Sequence, residues 1–419
     1  MSARGTRARA GPGAGAPELL SSVEAGIRRA LAGDPGAVRG ARFRGTWQKT
    51  LRLLRPLGTV SHATRVRVRT EGDGAFEAMW RGIDQAVDSV ALTTYIFEPD
   101  RVGDATLAAL VRAARRGCRV LLVVDAFGSH RLDDARLAEL CAAGGRVVRF
   151  NPIVRWSSPL SRLVRNHRKI LAIDGRLAFV GGMNVAEEYA GERYGSDYFR
   201  DTQLELEGPC AAVLAGLVED VAGVPRTPAP PPVAALEGAS LVMVHDSHAR
   251  SERRRIQRAL RMTLARCLEH VYLTSPYFVP PARLVRALVH ARRRGVEVRV
   301  LTAGRSDVPL VRLAGQHLYG RLLRSGIRIF ELEHRALHAK SVTVDGVHST
   351  VGSFNLDHWS DRRNLEVTVG LLDREATREL ELQFAHDLAG AREVTLATWT
   401  RRGPLERLLG WAAYQLLRL

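Results

Sequence analysis

The chain has 419 residues, 46% hydrophobic and 25% charged; the composition is globular, the length suits two domains, and disorder of the bulk is excluded. Lysine plus arginine outnumber aspartate plus glutamate by 62 to 44, and a formal charge of +18 calls for a polyanionic partner: nucleic acid, an anionic membrane surface or a phosphorylated substrate. Cys118, Cys141, Cys210 and Cys267 form no Cys-x-x-Cys pair or Cys/His cluster that would hold zinc; residues 1 to 16 lack the apolar core of a signal peptide, and no run approaches ~18 uninterrupted apolar residues.

Residues 1–71 read as a basic tail and a loop-rich lead-in, with an apolar-periodic piece around Leu51 to Leu57. From Phe76 the pattern turns regular: a helical run to Val87, a strand over Ser89–Phe97, a helix over Asp104–Arg116, then Gly117 and a strand over Arg119–Asp125. This is the rhythm of an α/β domain. The same events return later, with Leu92–Pro99 (LTTYIFEP) answered by Leu273–Pro280 (LTSPYFVP) and Leu107–Asp125 answered by Leu284–Thr302. In each copy an arginine-faced helix ends at a glycine, Gly117 or Gly295, which fits a C-terminal cap. An offset of 178 to 182 residues means two copies of a whole domain. The expected order is therefore a first lobe over 72–223, a proline-rich linker over 224–238, a second lobe over 239–398 and a C-terminal amphipathic helix over 399–419.

The duplication converges on Asn166–Asn184 (NHRKILAIDGRLAFVGGMN) and Leu337–Asn355 (LHAKSVTVDGVHSTVGSFN). Each carries His-x-Lys, four residues, Asp, and an Asn ten residues further on: His167, Lys169, Asp174, Asn184 and His338, Lys340, Asp345, Asn355. Only three of the 62 basic residues are lysines, so with 13 histidines chance supplies about 0.09 His-x-Lys pairs, and two are present. Two of the three lysines sit in these motifs, in a chain that uses arginine wherever a generic positive charge suffices. Alternation in an extended segment points His and Lys to one side and the middle residue away. Imidazole serves as nucleophile or general acid/base, an ammonium neutralises phosphate oxygens, and the Asn amide adds a donor. Two such sets across a pseudo-two-fold axis would flank one phosphorus and allow in-line displacement without a metal or other cofactor.

On these paired motifs the sequence resembles the phospholipase D superfamily, and within it the bacterial cardiolipin synthases that lack N-terminal membrane helices. The resemblance includes TYIFEP at 94–99, FVGGMN at 179–184, FRDTQLELEGP at 199–209, SPYFVPP at 275–281, VGSFNLD at 351–357 and RRNLE at 362–366. It implies an α/β fold of two pseudo-symmetric lobes, each a mixed β-sheet flanked by helices, with the active site at the lobe interface. It also implies transfer of a phosphatidyl group from phosphatidylglycerol through a phosphohistidine, with His167 as nucleophile and His338 as acid and base. Lys169, Lys340, Asn184 and Asn355 would bind the phosphate, and Asp174 and Asp345 would support the catalytic set by hydrogen bonds. By the same likeness a carboxylate orients each histidine: Asp201, 34 residues after His167, in the first lobe, and Glu366, 28 after His338, in the second. The implied setting is the cytoplasmic face of the bacterial inner membrane, held peripherally, with anionic phospholipid as partner.

Two other readings use the same motifs: hydrolysis by water, and a nuclease of the same superfamily. Against nucleic acid stands an aromatic content of 6%, sparse for a base-stacking groove. For Tyr95 and Tyr277, core packing and pocket lining stand level. Ile153–Arg168, and the stripe Leu405, Leu408, Leu409, Ala412 and Leu416, read either as interfacial anchors or as packing surfaces. The arginines at 112, 115, 116 and 292–294 read as solvated surface.

Overall fold

A computed structural model of the chain describes residues 37–152, 164–195, 198–227, 239–247, 254–306, 308–357, 360 and 363–418. The basic tail to residue 36, the loop over 153–163, the linker beyond Thr227 and His358 lie outside the described residues.

The lead-in is not the loop-rich segment expected. Ala37–Leu54 forms a helix, α1, and the chain continues into strands β1 (Thr59–Ala63) and β2 (Arg65–Arg69). Phe43, Trp47, Leu51 and Leu54 recur every three or four residues along α1 and are buried with Ile256 and Leu260 in the second lobe's core. That stripe is masked in the sequence by the arginines between its members.

The first lobe follows as α2 (Gly72–Gln85), β3 (Ser89–Thr94), α3 (Arg101–Arg115), β4 (Arg119–Asp125), α4 (Asp134–Ala142), β5 (Arg146–Phe150), β6 (Ile170–Ile173), β7 (Leu177–Gly181), β8 (Gln203–Glu207) and α5 (Cys210–Ala222). The second runs β9 (Ser240–Asp246), α6 (Arg255–Leu264), β10 (His270–Thr274), α7 (Ala282–Arg293), β11 (Glu297–Ala303), α8 (Pro309–Arg324), β12 (Arg328–Leu332), β13 (Ser341–Val344), β14 (His348–Gly352), β15 (Val367–Leu372), α9 (Arg374–Ala389), β16 (Ala391–Val394), α10 (Leu396–Thr400) and α11 (Pro404–Arg418). Gly117 and Gly295, after α3 and α7, both take a positive φ (92° and 93°), the left-handed turn that a glycine cap permits.

Each lobe is built on one mixed sheet. The first has strand order β2-β8-β7-β6-β3-β4-β5 and the second β1-β9-β15-β14-β13-β10-β11-β12-β16. In both, the strand that leads the repeat (β3, β10) pairs in parallel with the next strand and antiparallel with the strand that follows the His-x-Lys motif. Strand β1 precedes the first lobe in the chain but extends the second sheet beside β9.

Alternation along the strands assigns the two faces. Leu171 and Ile173 of β6 join Val120, Leu122 and Val124 of β4 in the core under α2, α3 and α4. Ile170 and Ala172 face a separate core shared by both lobes, with Leu214 and Val218 of α5, Val242 and Val244 of β9, and Ala376 and Leu380 of α9. The lobes are thus fused through a continuous apolar layer, which fixes the two motif-bearing edges relative to each other. Among the described residues no helix is long and apolar enough to cross a membrane.

Candidate active site

The segments that carry the motif histidines do not end in their own sheets. Asn166 makes a parallel bridge with Leu365, and Leu337 makes one with Arg200, so each lead-in pairs with a segment of the opposite lobe. His167 N donates to Leu365 O at 2.9 Å, and His338 N donates to Arg200 O at 2.8 Å. Leu365 N returns a bond to Arg165 O and Arg200 N one to Ala336 O, both 2.8 Å. The equivalence of these four bonds defines the pseudo-two-fold axis and places His167 and His338 on either side of it.

This crossing corrects the expected carboxylate pairs. Reading along the chain puts Asp201 with His167 and Glu366 with His338. In the structure Asp201 Oδ2 lies 2.6 Å from His338 Nδ1, whereas Glu366 Oε1 lies 3.7 Å from His167 Nδ1. Each carboxylate stands one residue after its bridging residue, Arg200 or Leu365, and so reaches the histidine that this bridge delivers from the other lobe. Both carboxylates are fully buried.

The electrostatics of the two pairs differ. Burial acts to raise Asp201, but the charge of His338 and its hydrogen bond, with Lys340, bring the carboxyl below its ordinary range. Burial dominates at Glu366 and raises it, against Lys169 and hydrogen bonds from Ser353 and Ser360. Burial lowers Lys169 in turn, opposed by Glu366, Asp201 and Asp125. Burial also lowers His338 to about 4, aided by the ammonium of Lys340, and holds His167 well below its usual value, aided by both lysines. A phosphodiester between the lysines would offset their charge and ease protonation of either ring.

Lys169 and Lys340, both buried, fold their ammonium groups back onto the carbonyls of His167 (2.8 Å) and His338. Tyr95 packs on His167 with ring centroids 4.1 Å apart, and Lys169 Nζ lies 5.5 Å from the same tyrosine ring. His338 is flanked by Tyr189 at 5.1 Å and Phe199 at 5.4 Å. A cavity of about 190 Å³ opens beside His167 and is lined by Tyr277, Val279, Val311, Asn355 and Leu417. Both tyrosines at the strand ends therefore face the site.

Four expected site residues have places other than the reaction centre or differ between copies. Asp174 and Asp345, grouped with the catalytic set, sit at the far ends of β6 and β13. Asp174 accepts hydrogen bonds from the backbone N–H groups of Val87, Asp88 and Ser89, and Asp345 from those of Leu268, Glu269 and His270. Each thus fastens the turn before β3 or β10, a strand's length from the histidine. Asn184 spends its amide on scaffold, accepting from Ile96 N at 3.1 Å and donating to the Tyr189 hydroxyl at 2.7 Å. Asn355 lies on the cavity wall, its buried Oδ1 without a partner among the described residues.

Sequence reasoning missed the side chains that hold the motifs in place. The buried Asp125, at the end of β4, accepts from Asn166 N at 2.9 Å and from the Arg165 guanidinium at 3.3 Å. Arg168, the middle residue of the first His-x-Lys, faces away as expected and is fully buried between the lobes, donating to Asp246 at 3.0 Å and to the carbonyl of Ser247. Arg200 pairs with Asp387 of α9 at 2.8 Å. The sequence signal was confined to Arg168, a charge at the inward-facing middle position of the first His-x-Lys, since Asp125 and Arg200 lie far from the motifs along the chain. The helix arginines are largely engaged on the surface, Arg112 with Asp84 and Arg115 with Glu139. Among the described residues no three His, Cys, Asp or Glu side chains gather to hold a metal ion.

Compared with known proteins, the chain matches the family described as cardiolipin synthase, PLD-like domain, over residues 79–196 and 260–388. It is 31% identical over 362 residues to the cardiolipin synthase of Geobacillus kaustophilus, covering 84% of this chain and 72% of that protein. It is 35% identical over 338 residues to cardiolipin synthase A of Pseudomonas aeruginosa, covering 79% and 68%. Among solved structures, phosphatidylserine synthase of Haemophilus influenzae aligns with a TM-score of 0.68 at 14% identity, over 88% of this chain and 99% of that one. Polyphosphate kinase of Porphyromonas gingivalis aligns at 0.51 and 16% identity, over 84% and 55%. The structural likenesses establish the two-lobed fold.

Proposed function

The chain belongs to the cardiolipin synthase family of phospholipase D-like proteins, and from that premise we propose that it is a phosphatidyltransferase making cardiolipin and glycerol from two molecules of phosphatidylglycerol. The observation that best supports this reading is the crossed site: two histidines from two lobes, each with Nδ1 toward a carboxylate of the other lobe, and a buried ammonium on the backbone carbonyl of each. With Nδ1 turned to a carboxylate, Nε2 of each ring is left to face the phosphorus.

In the first step Nε2 of His167 attacks phosphorus, the bond to the glycerol oxygen breaks, and a proton from His338 passes to that oxygen as glycerol leaves. In the second, His338 takes the proton of a hydroxyl on another phosphatidylglycerol; its oxygen attacks phosphorus, and the P–N bond breaks to return neutral His167. The division of labour follows the partners. Asp201, held below the usual carboxyl range, favours the charged imidazolium an acid requires, while Glu366, raised by burial, favours a neutral ring suited to attack. Lys169 and Lys340 would carry the phosphate charge as it builds in the transition state.

The test is incubation with phosphatidylglycerol vesicles without added metal, with products read by mass spectrometry. Cardiolipin and glycerol are expected; phosphatidic acid alone would establish hydrolysis, and cleavage of DNA or RNA with no lipid product would end the lipid reading. His167→Ala and His338→Ala should each lower turnover by at least ~10³-fold. Acid-labile phosphate trapped on His338 rather than His167 would reverse their roles.

A further inference from the structure

The C-terminal helix α11 is apolar on two faces, and only one of them is used within the chain. Gly410, Ala413 and Tyr414 are buried against α8, where the Tyr414 ring lies 5.0 Å from that of His317, tilted by 31°, and a Cβ at Gly410 would meet the Leu313 carbonyl at 3.2 Å. The stripe Leu405, Leu408, Leu409 and Leu416, at 100° per residue a different face, is 49% to 67% exposed, with Trp411 48% exposed at its edge. The choice between anchor and packing surface therefore dissolves: the helix packs with one face and leaves the other to solvent. Exposed large hydrophobics are ordinarily scattered singly, yet five of those among the described residues lie on this one helix, and Leu310 adds another at the start of α8.

Charge and position decide what covers this face. Residues 396–418 hold four arginines and one glutamate, and the exposed Arg401 and Arg305 have no side-chain partner among the described residues. A second copy would bring like charges together, whereas an anionic bilayer takes both the leucines and the arginines. The same helix also reaches the catalytic cavity: Leu417, the residue after exposed Leu416 and partly buried on the packed face, lines it with Val311 of α8, His167 and Tyr277. We infer that the outward face of α11, with the start of α8, docks the protein on an anionic phospholipid bilayer and turns the mouth of the catalytic cavity to the lipid. A phospholipid could then offer its headgroup to the histidines while its acyl chains stay in apolar surroundings. This rests on the proposed lipid substrate for its purpose, though not for its geometry.

The test uses the full chain carrying Leu405→Glu with Leu408→Glu, two exposed positions away from the cavity wall. Sedimentation with phosphatidylglycerol vesicles should weaken on the order of a hundredfold, while the melting temperature and turnover of short-chain phosphatidylglycerol dispersed as monomers stay at wild-type values. Arg401→Glu should weaken binding to phosphatidylglycerol vesicles and leave binding to phosphatidylcholine vesicles unchanged. Undiminished sedimentation of the double variant overturns the inference, as does an equal loss of monomer turnover, which would make the face part of the catalytic wall. A shift from dimer to monomer in solution would also overturn it, assigning the face to a second copy. Wild-type protein that binds vesicles through this face but transfers no phosphatidyl group would leave the docking surface standing and end the proposed function.

Discussion

His167 and His338 come from the same motif, stand across the same pseudo-two-fold axis and receive the same backbone bonds from the opposite lobe, yet they are held differently. His338 has Asp201 at 2.6 Å and two aromatic rings around it, whereas Glu366 stands 3.7 Å from His167, outside hydrogen-bond reach. The scaffolds diverge as well. The first lead-in is tied by buried Asp125 to Asn166 and Arg165, while the corresponding position of the second copy is Thr302, whose hydroxyl donates to the Pro276 carbonyl at 3.3 Å. Duplication supplied two equivalent frames, and the differences lie in the side chains that tune proton affinity. The proposed two-step transfer would use that difference, one ring attacking while the other gives and then takes a proton.

The largest consequence falls on the carboxylates. Asp201→Asn should reduce kcat by about 10³-fold, since it removes both the anchor and the charge that favours protonated His338, and a comparable triad substitution costs about 10⁴-fold. Glu366→Gln should cost roughly tenfold, because a raised carboxyl at 3.7 Å contributes less charge and no close bond. Steady-state kinetics on both variants decides the matter; equal losses would mean that the asymmetry of the resting site does not persist in the reaction. The next effect is on stability. Arg168→Met removes the donor to Asp246 and to three backbone carbonyls, those of Leu217, Ser247 and Glu366, and Arg200→Met removes the charge partner of buried Asp387, so each should lose about 3–5 kcal/mol in denaturant unfolding. A variant that unfolds as wild type would show that its ion pair adds nothing to joining the lobes.

Much of this was legible before the fold was known, and what was not has a common cause. The repeat, the strand at Arg119–Asp125, the glycine caps and both His/Lys sets are local patterns, and local spacing fixes them. The crossed carboxylates were identified as residues but paired within their lobes, because separation along the chain says nothing about a segment that bridges to the other copy. Helix α1 was missed for a related reason. Its stripe of Phe43, Trp47, Leu51 and Leu54 buries against Ile256 and Leu260, some two hundred residues away, and the arginines between dilute its local signal. The two faces of α11 read as one, since Ala413 and Tyr414 draw their meaning from α8.

The smallest effect tests how far each half-site extends. Asp174 and Asp345 belong to the motif by spacing, but both occupy left-handed backbone (φ 50° and 54°) at the strand end remote from the histidine, where each carboxylate gathers three backbone N–H groups. Alanine at either position should cost about 1–3 kcal/mol through unpaired donors and the left-handed strain, and leave kcat/KM unchanged well below the melting temperature. Asparagine, which tolerates that φ and keeps one acceptor, should cost less. Burial raises Asp345, so losing its charge removes an unfavourable term along with the favourable bonds, and the Asn penalty there should be modest. If instead either Asn variant lost about 10²-fold in kcat/KM while melting as wild type, the aspartate would act on the chemistry itself. The two half-sites would then differ along the whole motif rather than only in the partners of their histidines.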